Sequence, residues 1–133
     1  MSDEKDPHGK NPHEPGSKLD AGKPEVVKDV LAYFPNALRE VGGVSAYGAR
    51  KYTRMGWASV PDGVDRYTEA LGRHLLAEAE GERIDQSGLW HDAQVAWNAL
   101  ARLELRLRAP TLPQEAPQTF YWIPDSREGQ KGL

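Results

Sequence analysis

Between Gly81 and His91 the chain reads GERIDQSGLWH, with Glu82, Asp85 and His91 strung through a glycine-punctuated turn between two helix-like segments. This spacing gathers oxygen and imidazole ligands where two helices meet, which is how an all-α scaffold builds a site for a hard metal ion. A second cluster, Glu69, Arg73, His74 and Glu78, lies on the preceding segment. His74 follows Leu71 by three residues and Tyr67 by seven, so it shares their inward face. Glu78 continues that line and Glu69 lies toward its edge. On the following segment His91, Gln94 and Asn98 form a facing stripe. Buried charge at that density is costly unless it is paired or holds a cation. A plainer description also fits, in which Glu78, Glu80 and Glu82 are a solvated acidic patch and His74 is an internally hydrogen-bonded core residue.

Three helices must position these groups. The first is expected from about Asn36, as N-cap, to Tyr52, with Leu38, Val41, Val44, Gly48 and Tyr52 on one face. Gly42, Gly43, Ser45 and Gly48 weaken it alone and allow another backbone to approach. The second runs from Asp62, after the turn signal Pro61-Asp62-Gly63, to Gly81, with the stripe Val64, Tyr67, Leu71, Leu75. The third starts at Ser87 or Gly88 and stops before Pro110. Its stripe of Leu89, Ala93, Ala96, Leu100, Leu103 and Leu107 is the cleanest period in the chain. A shorter helix over 25–33 is opened by Pro24. No segment alternates as a strand does. The expected fold is all-α, a small bundle of three to four core helices with a disordered N-terminal tail and an irregular C-terminal arm.

Composition sets the limits of that bundle. The chain has 133 residues, 38% of them apolar, with ten prolines and thirteen glycines, and a mean hydropathy of −0.70. One domain fits this length. Between Met1 and Leu19 there is no apolar residue, so residues 1–19 read as the tail. Residues 20–109 form the domain and 110–133 a proline-rich arm carrying Phe120, Tyr121, Trp122 and Ile123. A core this small commonly needs a second copy, so a homodimer or homotetramer is expected. The absence of cysteine excludes disulfides and thiolate metal sites. No apolar run approaches a membrane span, and the N-terminus has no signal-peptide core, which points to the cytoplasm. A net charge of −3 and a pI of about 5.8 give no footprint for duplex nucleic acid.

Several motifs then fall in a recognisable order. LDAGKP at Leu19 to Pro24, AYGARKY at Ala46 to Tyr52 followed by Trp57, Arg73-His74, and the run of Gly81, Glu82, Asp85, Ser87, Gly88, His91, Asn98 and Ala99 resemble the phage-associated dATP/dGTP diphosphohydrolase family. That family is similar to the all-α nucleoside triphosphate pyrophosphohydrolases. The resemblance covers about residues 18–105. It implies a divalent-metal enzyme that cuts a purine deoxynucleoside triphosphate between its α and β phosphates, in the host cytoplasm if phage-encoded. Glu82 and Asp85 match the family's acidic pair, and Arg73, His74 and Asn98 match directly. The chain departs at Gln94, where histidine is more usual, at Gly56, where asparagine is common, and at Glu78, where an aromatic is usual.

The chemistry assigns expected roles to these positions. Glu69, Glu82 and Asp85 would hold Mg²⁺ or Mn²⁺, which neutralises the triphosphate and activates water. His74 and His91 are the expected catalytic residues. Arg73 and Lys51 would grip phosphate oxygens, Tyr52 and Trp57 would offer stacking surface, and Asn98 would read the base edge or the sugar. The absence of a Walker-type glycine loop excludes P-loop chemistry. Two alternatives stay open: an HD-type phosphohydrolase built on His74 and His91-Asp92, and a non-catalytic phage helical interaction or inhibitor protein.

Overall fold

The computed structural model describes residues 3–109; the aromatic arm around Phe120 lies outside them. Contacts divide the chain into two units, one up to Leu38 and one from Arg39 onward. Among the described residues the helices are α1 (Pro35–Lys51), α2 (Gly63–Ala79) and α3 (His91–Arg108), with a π-turn at Val27–Leu31 and a 3₁₀ turn at Gly56–Ser59. The architecture is all-α. No helix among the described residues is long and apolar enough to cross a membrane.

In the first unit the Asp6 carboxylate gathers the backbone N–H groups of His8, Lys10 and Lys18 at 2.7, 3.4 and 2.8 Å. The bond from Lys18, ahead of a smaller opposing effect of burial, lowers the pKa of this carboxyl. Residues read from composition as a featureless tail therefore contain a local turn built by one acidic side chain. The predicted helix over 25–33 is shorter in the structure. Its turn is the wide type, closed by Ala32 N–H on the Val27 carbonyl at 2.9 Å.

Helix α1 begins one residue before its predicted N-cap. Pro35 occupies the first helical position, where its missing N–H costs nothing, and Leu38 N–H bonds the Phe34 carbonyl. Asp62 adopts φ 55°, a left-handed conformation tolerated by Asp, and turns the chain into α2. Gly63 is buried there. A Cβ on it would stand 2.8 Å from Leu105 Cδ1, so the start of α2 lies directly against the end of α3.

Helix α2 stops where glycine was expected to stop it. Gly81 N–H bonds the Glu78 carbonyl at 2.9 Å and Glu82 N–H bonds Ala77 at 3.0 Å, with Gly81 at φ 101°. This pair of bonds is a Schellman closure. Helix α3, by contrast, begins at His91 rather than at Ser87 or Gly88. Residues 84–90 instead form a tight turn whose ends, Ile84 and Trp90, make an antiparallel bridge. The Asp85 side chain competes with helix formation by capturing its neighbours' N–H groups.

The packing also differs from the expected stripe. On α3 the buried residues are His91, Ala93, Asn98 and Ala101. The expected core leucines Leu100, Leu103 and Leu107 are exposed, the last by 69%. Leu75 and Leu76 on α2 are exposed as well. The seam between α2 and α3 is thus lined by small and polar residues, and the leucine face points away from it. Aromatic side chains supply the bulk at the other end. Trp57, Tyr67 and Trp97 meet edge to face with ring centroids 5.6 to 6.3 Å apart. Tyr67 Oη donates to the Trp57 carbonyl at 2.7 Å, and Trp97 Nε1 donates to Ser45 Oγ of α1 at 2.7 Å. Because this cluster ties three elements together, Trp97→Ala should cost about 3 kcal/mol in urea unfolding. A loss below 1 kcal/mol would show that the cluster does not hold the unit together.

Candidate functional site

The Schellman closure and the turn that follows it bring Glu82 and His91 together across the junction of α2 and α3. His91 N–H bonds the Arg83 carbonyl at 2.8 Å, which sets the first residue of α3 beside the end of the turn. His91 Nε2 then lies 2.8 Å from Glu82 Oε1, and His91 Nδ1 lies 2.8 Å from His74 Nδ1. His91 is 4% exposed, while Glu82 is open to solvent.

With one proton on each imidazole this network closes in one way. The ionised Glu82 only accepts, so His91 Nε2 carries hydrogen. His91 Nδ1 must then accept, so His74 Nδ1 carries hydrogen and His74 Nε2 keeps a lone pair. Burial first, and then the neighbouring His91, lower the His74 pKa, with Asp85 opposing and Arg73 adding slightly. His74 is therefore a neutral imidazole near pH 7, oriented through a hydrogen-bonded partner that ends on a carboxylate. This arrangement can take up a proton at His74 Nε2.

Asp85 serves the turn. Its Oδ1 accepts from Ser87 N–H, Ser87 Oγ and Leu89 N–H, and its Oδ2 accepts from Gln94 Nε2 at 2.8 Å. Burial works against its ionisation, but the bonds from Ser87, Gln94 and Leu89 outweigh it and hold the pKa down to about 2. Asn98, 6% exposed, donates from Nδ2 to the Gln94 carbonyl at 2.7 Å. Gln94 thus links the turn to the middle of α3.

Of the residues singled out in the sequence, the structure brings His74, His91 and Glu82 into direct contact, with Asp85 and Asn98 tied in through Gln94. Arg73 is exposed beside His74. Glu69 is exposed on α2, five residues before His74. Lys51 and Tyr52 stand at the end of α1, where the Lys51 ammonium lies 5.9 and 5.3 Å from the Tyr47 and Tyr52 ring centroids. Trp57 belongs to the aromatic cluster, and the Arg108 guanidinium lies over its ring at 5.3 Å. The expected metal set of Glu69, Glu82 and Asp85 does not converge. Among the described residues no three His, Asp or Glu side chains are placed to hold a metal ion, and both oxygens of Asp85 are occupied by protein donors.

Sequence reasoning left Arg83 and Trp90 without roles, gave Asp92 one only in the HD-type alternative, and took Ser87 as a helix start. The spacing Asp85-Gln86-Ser87-Gly88 was the available sign of an Asx turn. Arg83, Trp90 and Asp92 line a cavity with Glu78 and Gly81. The neighbouring Asp92 carboxyl, and to a smaller extent burial, raise the Glu78 pKa against the opposing charges of Arg83 and His91.

Comparison with family models decides where this arrangement belongs. Residues 13–114 match the dATP/dGTP diphosphohydrolase, N-terminal family. The chain belongs to that family. Comparison with curated proteins and with solved structures yields no match. The matched span covers α1, α2, α3 and the whole histidine network, so the site described above lies inside the family's own region of a nucleotide hydrolase.

The low Asp85 pKa makes a signed prediction. Its folded value lies below the ordinary 3.8, so its contribution is present above about pH 4 and lost as pH falls toward 2. Asp85→Asn should lower stability at pH 7 by roughly 1–2 kcal/mol, after allowance for solvent screening, and flatten the acid limb of the stability curve. Denaturant titrations from pH 7 to pH 2 check both effects; an acid limb identical to that of the wild type would remove the staple role.

Proposed function

We propose that this domain hydrolyses purine deoxynucleoside triphosphates, dATP or dGTP, to the monophosphate and diphosphate. The observation that carries this reading is the Glu82–His91–His74 network, which ends in an imidazole nitrogen free to accept a proton. Water would form its bond to the α-phosphorus while the bridge to the β-phosphate breaks, and the water's proton would pass to His74 Nε2. His91 and Glu82 hold the imidazole's tautomer and stabilise the charge it gains. Arg73, exposed and next to His74 in the chain, would grip a phosphate oxygen. Lys51, Tyr52, Trp57 and Asn98, which make no contact with the three residues of the network among the bonds described above, would act on the substrate through other contacts.

A triphosphate binds an acidic protein as its complex with Mg²⁺ or Mn²⁺, and the cation supplies charge neutralisation there. Glu69, Glu82 and Asp85 do not fit a shared cation cage in this arrangement. The reading therefore assigns the cation to the nucleotide, and the chain's own part is proton transfer and orientation. Both ring nitrogens of His91 are engaged by protein partners, which disfavours an HD-type pair built on His91-Asp92.

The reading includes a homodimer or homotetramer. No large side chain among the described residues is fully buried, and Leu75, Leu76, Leu100, Leu103 and Leu107 are exposed on α2 and α3. A domain with so little internal apolar burial gains most of its stability by pairing such faces. Sedimentation at micromolar concentration should show an oligomer that Leu103→Glu dissociates; a stable wild-type monomer overturns this part.

Incubation with a deoxynucleotide panel and Mn²⁺, read by product chromatography, should give monophosphate and diphosphate from dATP or dGTP. His74→Ala should lower kcat by about 10²- to 10⁴-fold with the helical circular dichroism retained. Full activity in this variant removes the relay. A folded protein that hydrolyses none of the nucleotides overturns the enzyme reading in favour of an interaction module.

A further inference from the structure

A cavity of about 400 Å³, lined by Glu78, Gly81, Arg83, Trp90 and Asp92, opens at the junction of α2 and α3. Glu78 comes from the last turn of α2 and Asp92 from the first turn of α3, while Trp90 immediately precedes His91. None of these five residues has a part in the proton transfer described above.

Their chemistry is mixed in a specific way. The Glu78 and Asp92 side chains line the same cavity together with the Arg83 guanidinium. The Trp90 side belongs to a residue 39% exposed, which leaves part of an indole open to a ligand. A Cβ built on Gly81 would meet nothing within 4 Å, so the mouth beside it is open. Paired carboxylates repel each other and are relieved by adjacent N–H donors. The Watson–Crick edge of guanine presents such donors at N1 and N2, whereas adenine presents the bare N1 lone pair to the same oxygens. A carboxylate facing that edge favours guanine, and an indole stacks on any base. The volume lies within the range of small-ligand pockets.

We propose that the cavity lined by Glu78, Arg83, Trp90 and Asp92 is a guanine subsite, with the carboxyl pair accepting from the base edge and the Trp90 indole stacking on its face. This inference rests on the nucleotide-hydrolase reading and adds the choice of base. In this chain the stacking group is supplied by Trp90 and the selective group by Glu78.

Calorimetric titration of the full chain with dGMP and with dAMP in EDTA tests the subsite without catalysis. The wild type should bind dGMP about tenfold or more tightly than dAMP. Glu78→Gln or Asp92→Asn should bring the two within about twofold, and Trp90→Ala should weaken both by about tenfold. Two carboxyl variants are used so that misfolding of one, seen by circular dichroism, leaves the other to decide. Equal binding of the two nucleotides, no binding of either, or a guanine preference untouched in the folded carboxyl variant overturns the subsite. A parallel titration with Mn²⁺ alone that saturates the wild type but not Glu78→Gln assigns the pair to a cation and likewise overturns it. Guanine preference without triphosphate hydrolysis would sink the enzyme reading and leave the subsite standing.

Discussion

The Asp85 carboxylate is the constraint on which the site depends. Ser87 N–H, Ser87 Oγ and Leu89 N–H hold one of its oxygens, and Gln94 holds the other. These bonds close the turn between α2 and α3 and couple it to the second turn of α3. Once closed, the turn places Arg83 opposite His91 and so sets Glu82 at the edge of the His91 ring. An opened turn would free the chain between Gly81 and His91, and the His74–His91 contact would then rest on helix packing alone. Charge-assisted bonds to backbone N–H groups are strong enough for this task, and the depressed pKa of Asp85 is their signature.

The seam between α2 and α3 is polar because the site occupies it. His74, His91, Asn98 and Gln94 take up the positions where a hydrophobic bundle would place leucines. Ala93 and Ala101 keep the helices close without adding bulk. Apolar burial within the chain is correspondingly weak, and cohesion falls to the Trp57–Tyr67–Trp97 cluster at the far end. The leucines of α2 and α3 are left exposed. This helix pair thus divides its faces between a polar network inside and an apolar surface outside.

That division explains what was legible in the sequence. Helix positions followed from turn chemistry: Pro35, Pro61-Asp62-Gly63 and Gly81 mark real boundaries because each has a conformational reason to sit there. The stripe of His91, Gln94 and Asn98 was readable as a polar row; His91 meets His74 of α2, while Gln94 turns to Asp85 and Asn98 to the Gln94 carbonyl. The strongest apolar period was misleading about direction. Leu100, Leu103 and Leu107 mark an apolar face, but periodicity cannot say whether that face meets the same chain or another. The start of α3 was misread because Ser87 and Gly88 look like a helix entry, while Asp85 uses them to close a turn.

Ligand spacing alone could not distinguish the roles of the acidic residues. Glu82 and Asp85 are three residues apart and chemically alike, yet one carboxylate orients a histidine and the other is consumed by backbone donors. The difference arises from the Gly81 and Gly88 conformations, at φ 101° and 85°, which send the chain back on itself so that Glu82 faces α3 while Asp85 faces its own loop. The same reversal sets Trp90 beside the ends of both helices, next to the carboxyls of Glu78 and Asp92. The Glu82–His91 pair and the cavity beside it thus descend from one short turn. A substitution that loosens the turn should disturb the His91 side of the His74 contact and the Arg83 and Trp90 walls of the cavity together, because His74 and Glu78 are held by α2 while their partners are set by the turn.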